Sequence, residues 1–209
     1  MAEFSPLEVS AWIKKLGPNF KKAITPFGLS CIFPYHQIKV DEPFLCAVAN
    51  FWILTRHVFH LHSVEICPTL EEFSAILGEP KVNTLVFPTM GGDLPILIQA
   101  PLGVSLDTAK HWCIFGKLNI HLIFAYFSRL TVPMIDRPHS HYLNAFYLCV
   151  LARYFLVHGT NCVDHSMYLV VSNLRSGNLA GMILSEILNG LDAFHRKEAN
   201  FFVGSPLLL

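Results

Sequence analysis

Apolar positions in SPLEVSAWIKKL (residues 5–16) recur at Val9, Trp12, Ile13 and Leu16, the spacing of one face of a helix. Ser5 offers an N-cap, Pro6 suits the first helical position, and Gly17-Pro18 stops the run. A second short amphipathic piece covers 19–27 and ends at Gly28. Residues 42–54, EPFLCAVANFWIL, predict a buried helix carrying Phe44, Val48, Phe51 and Trp52. In RHVFHLHSVEI the period drops to two, with 57, 59 and 61 alternating with 58, 60 and 62, so a β-hairpin is expected near residues 57–66. Phe59 lies on its apolar side. Pro68 then introduces a helix start: Thr69 caps, Glu72 three residues on reaches back to the cap amide, and the helix runs to Leu77 before Gly78.

Residues 79–106 hold prolines and glycines and show no helical period, so an extended crossing loop is expected there. Helix resumes over 108–115 with Asp107 as cap, and again over about 118–130. Segment 141–158 carries the strongest helical signal, with Leu143, Phe146, Tyr147, Val150, Leu151, Tyr154 and Phe155 at i, i+3, i+4, i+7 spacing. Asp164 is expected to cap a helix over 165–175. A last helix, about 179–196, aligns Ile183, Ile187, Leu191 and Phe194, with Gly181 and Gly190 marking close helix packing. The pattern predicts a mainly α fold: a compact multi-helix domain, with the one hairpin, spanning 1–209 as a single unit. The final VGSPLLL is apolar, so the natural domain is expected to continue beyond it.

Composition narrows the function. Fifteen basic and fifteen acidic residues cancel, and 53% of the 209 residues are hydrophobic against 14% charged. That excludes a disordered chain. Neutrality argues against a bare DNA-coating protein, which needs net positive charge. A mean hydropathy of +0.45 raises the question of a membrane. The longest stretch free of Asp, Glu, Lys and Arg, 23–38, contains Pro26, Pro34 and His36, so no spanning helix is expected. The six cysteines are irregularly spaced with no Cys-x-x-Cys, and the N-terminus lacks the form of a secretory signal. Reduced thiols and an intracellular location are expected.

Candidate chemistry is sparse. Eleven histidines include the pairs His60/His62 and His139/His141, but no ligand set at a recognised zinc spacing, so neither metal nor cofactor is expected. Phosphate-loop, dinucleotide and nucleophile-elbow motifs are missing from the sequence. Lys14, Lys15, Lys21 and Lys22 form the main basic cluster and the candidate nucleic-acid contact, with the solvated-face reading beside it. His195-Arg196-Lys197 complements a helix C-terminus. Glu186, Asn189 and Asp192 interrupt the apolar helix SEILNGLDAF, either as a polar seam that fixes helix register or as the wall of a binding cleft.

Two stretches, ANFWILTRHVFHLHSVEICPTLEEFSAILGEP (49–80) and GNLAGMILSEILNGLDAFHRKEANFFVGSPLLL (177–209), resemble the plant mobile domain and a closely related uncharacterised plant family. Thr69-Leu70-Glu71-Glu72-Phe73 replaces the Thr-Leu-Glu-Asp start usual in the plant mobile domain, which favours the related family. The resemblance implies a transposable-element origin, a nuclear location and, in domesticated members, roles in silencing and genome maintenance. It does not carry the label "aminotransferase-like" that the family also bears, because no lysine here sits in a pyridoxal-binding context.

The expected function is therefore a non-catalytic protein-interaction domain whose partner is another protein or a further C-terminal part of its own chain. Phe51, Trp52, Phe59, Thr69 and Glu72, with Glu186, Asn189 and Asp192, are its candidate interaction residues. Two alternatives stay open: an enzyme with a Cys or His site beside Glu186 and Asn189, and a weak nucleic-acid-binding module.

Overall fold

In the computed structural model, the residues described are 6–24, 32–35, 41–78, 92–130, 140–155, 161–164, 167 and 179–198. The chain begins with α1 (Pro6–Lys15), α2 (Pro18–Ile24), α3 (Ile32–Tyr35) and α4 (Glu42–Ala49). A small antiparallel sheet follows, in the order β1 (Trp52–Ile53), β2 (Val58–Leu61), β3 (Val64–Ile66). Then come α5 (Leu70–Leu77), α6 (Leu94–Leu102) and α7 (Leu106–Trp112). The hairpin of β4 (Cys113–Ile114) and β5 (Lys117–Asn119) leads into α8 (Ile120–Phe127). Next is α9 (Ser140–Val150), which widens into a π turn over Leu151–Phe155. β6 (Cys162–Asp164) and α10 (Ala180–His195) are the last elements among the described residues. The fold is mainly α, as the periodicity predicts.

The core is organised around α9, whose residues from Ala145 to Val150 are all buried. A helix buried on every side belongs in the middle of a domain. Trp12 of α1 meets Phe124 of α8 and Tyr142 and Phe146 of α9 edge-on, with centroids 5.3–5.5 Å apart. Its indole N–H donates to the Tyr142 hydroxyl. Phe20 of α2 packs on the same two α9 rings, and the Tyr147 hydroxyl donates to the Ile24 carbonyl at 3.1 Å. Edge-to-face aromatic pairs of this kind add about 0.5–1.5 kcal/mol each beyond their burial.

Several expectations are corrected. The helix expected over 42–54 stops at Ala49, and Trp52 and Ile53 are strand. Phe44 and Phe51, expected inside, are 62% and 45% exposed. The span 79–106 is not wholly irregular. Leu94, Ile98 and Leu102 form the buried stripe of α6, whose Pro95 sits in the first turn where no N–H is needed. Pro101 lies in its last turn, and its carbonyl takes bonds from Asn144 (3.0 Å) and His141 (3.1 Å) of α9. Ser105, not Asp107, caps α7, accepting from the Thr108 amide at 3.2 Å. Asn119 caps α8 in the same way.

A second three-stranded sheet, β4-β5-β6, joins the one expected hairpin. Asp164, expected as a helix cap, is the last residue of β6 and pairs with Lys117. The helix expected over 165–175, Met167 apart, lies outside the described residues, as do Ser5, 25–28, 79–91, His139, 156–158 and the final VGSPLLL. His60 and His62 do not share a strand face, since His62 turns at φ 56° between β2 and β3. Among the described residues, no helix is long and apolar enough to cross a membrane.

Candidate functional site: the Trp52, His57 and Asp192 cluster

The first sheet is held to the last helix by a polar contact inside an apolar seam. α10 buries Ile183, Ile187 and Leu191, and Asp192 sits at the margin of that stripe with its side chain 15% exposed. The inner face of the sheet aligns Trp52, Phe59 and Ile66 across three strands. Trp52 is 1% exposed and lies 5.0 Å from the Phe59 ring. Its indole N–H must find a partner when buried, and it donates to Asp192 Oδ1 at 2.8 Å.

His57 completes the cluster from the turn between β1 and β2. Its backbone adopts φ 51°, and its amide donates to the Ile53 carbonyl at 2.8 Å. That turn lays the imidazole against the Trp52 ring, 5.8 Å between centroids and 21° from parallel. His57 Nε2 reaches Asp192 Oδ2 at 3.2 Å, and Arg196 lies 3.9 Å from the same oxygen. Facing a carboxylate, which only accepts, Nε2 is the donor of this bond, and half of the His57 side chain is exposed. Arg56 pairs with Glu65 across the outer face of the sheet.

An imidazole oriented by a carboxylate is one half of an acid–base device. Among the described residues, His57 hydrogen-bonds to no hydroxyl or thiol. Two described cysteines are held as thiols. Burial, with the negative charge of Asp93 second, pushes Cys113 up to about 11, and burial also raises the fully buried Cys149. Among the described residues, no group of three or more His, Cys, Asp or Glu side chains is placed to hold a metal ion.

Of the residues singled out by sequence, Trp52, Phe59 and Asp192 come together. Phe51 stands beside them with an exposed ring, its carbonyl accepting from the His60 amide at 2.9 Å. Thr69 and Glu72 form the expected reciprocal cap: the Thr69 amide donates to Glu72 at 3.0 Å and the Glu72 amide to Thr69 Oγ1 at 3.2 Å. They fix the start of α5, which packs on α10. Glu186 is half-buried and Asn189 exposed, so the three polar residues of α10 do not make one buried seam. Lys14, Lys15, Lys21 and Lys22 are all exposed and lie on other elements, Lys21 with its ammonium 5.4 Å from the Phe33 ring centre.

Sequence reasoning missed His57 and gave Arg196 only a capping role. His57 carried a weak signal, as one more residue of an alternating strand. No protein-family model, no curated protein and no solved structure matches the chain.

Proposed function

We propose that this chain is a protein-docking domain of transposable-element origin, acting in the nucleus and performing no catalysis of its own. One observation supports it above others. The inner face of the first sheet runs from buried Trp52 and Phe59 out to Ile66, which is 49% exposed, and Val64 beside it is 55% exposed. This apolar face extends beyond the helices that cover its centre, on a strand whose outer edge is unpaired among the described residues. An extended segment with alternating apolar side chains fits such an edge as a fourth strand. The origin and the nucleus rest on the sequence resemblance alone.

The test compares capture from a nuclear extract by the unaltered chain and by a Val64→Thr/Ile66→Thr variant that keeps the native circular dichroism. A partner retained by the first and lost by the second supports the reading. Identical captured sets, or none, refute it.

A second reading, an enzyme, draws on the His57–Asp192 pair, in which Asp192 orients His57 as a general base. It predicts that His57→Gln abolishes an activity while leaving the fold intact. A hydrolase and esterase substrate panel showing no turnover by the unaltered chain counts against it.

A further inference from the structure

Register decides what the outer margin of β3 offers. The His60 amide of β2 donates to the Phe51 carbonyl at 2.9 Å, so the backbone polar groups of His60 face β1. Residues directly opposite each other in an antiparallel pair alternate between exchanging hydrogen bonds and not exchanging them. His60 stands opposite Glu65, and that pair is therefore of the second kind. The N–H and C=O of Glu65 consequently point away from β2, toward the margin of the sheet. Those of Val64 and Ile66 point at Leu61 and Phe59. Among the described residues, β3 is the last strand of its sheet.

Side chains divide by face. Val64 and Ile66 lie on the inner face with Leu61 and Phe59, and Glu65 lies on the outer face with His60. Val64 and Ile66 are exposed. The Glu65 carboxylate pairs with Arg56 from the turn before β2, the two side chains being 40% and 54% exposed. A carboxylate accepts at two oxygens, so one guanidinium does not saturate it. A segment laid antiparallel along this margin exchanges its hydrogen bonds with Glu65 through one residue, whose side chain then stands beside the carboxylate. The residues before and after that one fall on the inner face, against Val64 and Ile66.

A second copy of this chain fits the margin poorly. Val64-Glu65-Ile66 has the same apolar–acidic–apolar pattern in both directions, so β3 pairs its apolar residues with those of its own copy only by setting Glu65 opposite Glu65. Like charges directly opposite are destabilising, and a charged edge guards a sheet against self-pairing. On the docking reading above, on which this rests, we propose that the partner is an extended protein segment carrying a lysine or arginine between two apolar residues. It docks as an antiparallel fourth strand, its cation opposite Glu65 and its apolar pair over Val64 and Ile66.

The experiment is fluorescence anisotropy of labelled peptides titrated with the full chain. One peptide has a Val-Lys-Val core between threonines, and a second differs only by Glu in place of Lys. Exchanging a favourable cross-strand pair for a like-charge one is expected to weaken binding on the order of tenfold. Methylating the backbone amide of the central Lys, which donates to the Glu65 carbonyl, is expected to weaken it by about as much. In a Glu65→Gln variant with native circular dichroism the Lys and Glu peptides bind within about twofold of each other. Equal affinities in the unaltered chain, or a lysine preference that survives in Glu65→Gln, overturn the proposed partner and leave the docking strand standing. Binding of neither peptide at millimolar chain concentration overturns both. A dimer found by analytical ultracentrifugation in the unaltered chain and lost in Val64→Thr/Ile66→Thr assigns the margin to a second copy and overturns the proposal.

Discussion

Asp192→Ala is expected to loosen the first sheet from α10 by an amount the geometry sets. The substitution removes the acceptor of the Trp52 indole N–H, a 2.8 Å bond in which the ring is 1% exposed. A buried donor left without a partner costs about 1–3 kcal/mol, toward the upper end when the lost acceptor was charged. The contacts to half-exposed His57 and to Arg196 at 3.9 Å add only about 0.5 kcal/mol together, since solvent screens them. Alanine's higher helix propensity returns roughly 0.5 kcal/mol. The net expectation is a loss of about 2–3 kcal/mol in urea unfolding, with the denaturant slope unchanged. Asp192→Asn keeps an oxygen facing the indole and costs under about 1 kcal/mol. Trp52→Phe removes the donor instead, so a double-mutant cycle with Asp192→Ala returns a coupling of about 1.5–2 kcal/mol. Additivity of the two changes within about 0.5 kcal/mol refutes the argument, because the carboxylate then has no dependence on the indole.

Other outcomes follow from single positions. Gly103 caps α6 at φ 62°, and a Cβ there meets the His141 ring at 2.7 Å, so Gly103→Ala is expected to lower stability by about 2 kcal/mol or more in thermal unfolding. Lys197 occupies the left-handed position after α10 at φ 61°, with the Glu198 amide donating to the Ala193 carbonyl, so Lys197→Gly is expected to raise stability by about 0.5–1 kcal/mol and a loss contradicts it. Burial holds Cys113 at about 11, and it lifts Tyr154 to about 12 against the opposing pull of Arg153. Such groups bind protons more tightly folded than unfolded, so their share of stability is intact below about pH 9 and is lost as pH climbs through 11. The urea midpoint should be lower at pH 10 than at pH 8, and an equal or higher midpoint rejects it. At pH 8, iodoacetamide should alkylate exposed Cys67 well before Cys113 or Cys149, as read by mass spectrometry.

What the sequence discloses is what depends on neighbours within a turn or two. The Thr69–Glu72 cap spans three residues, and both bonds form as the spacing predicts. α9 is legible through Phe146, Tyr147 and Val150, although the π turn that follows it carries no Gly or Pro to announce it. Trp52 is misassigned because the apolar run that begins in α4 continues past it, while its strand partner Phe59 is set by sheet pairing that periodicity does not record. The stripe of α6 was present in Leu94, Ile98 and Leu102 but was masked by prolines placed where a helix tolerates them. β6 escapes notice because its three residues gain order only from Lys117 to Asn119, far back in the chain. The candidate site is the extreme case: Asp192 was visible as a polar intruder, but its donors lie 135 and 140 residues away.

β5 pairs with β4 through a tight reversal, but its other edge waits for β6, and the Ile120 amide waits for the Asn161 carbonyl at 2.9 Å. During synthesis the hairpin and α8 leave the ribosome well before that third strand exists. Until residue 164 is free, one margin of the hairpin stays unsatisfied and open to intermolecular pairing. The second sheet thus acts as a late seam, closed only after α9, which lies between β5 and β6 in the sequence, has been made.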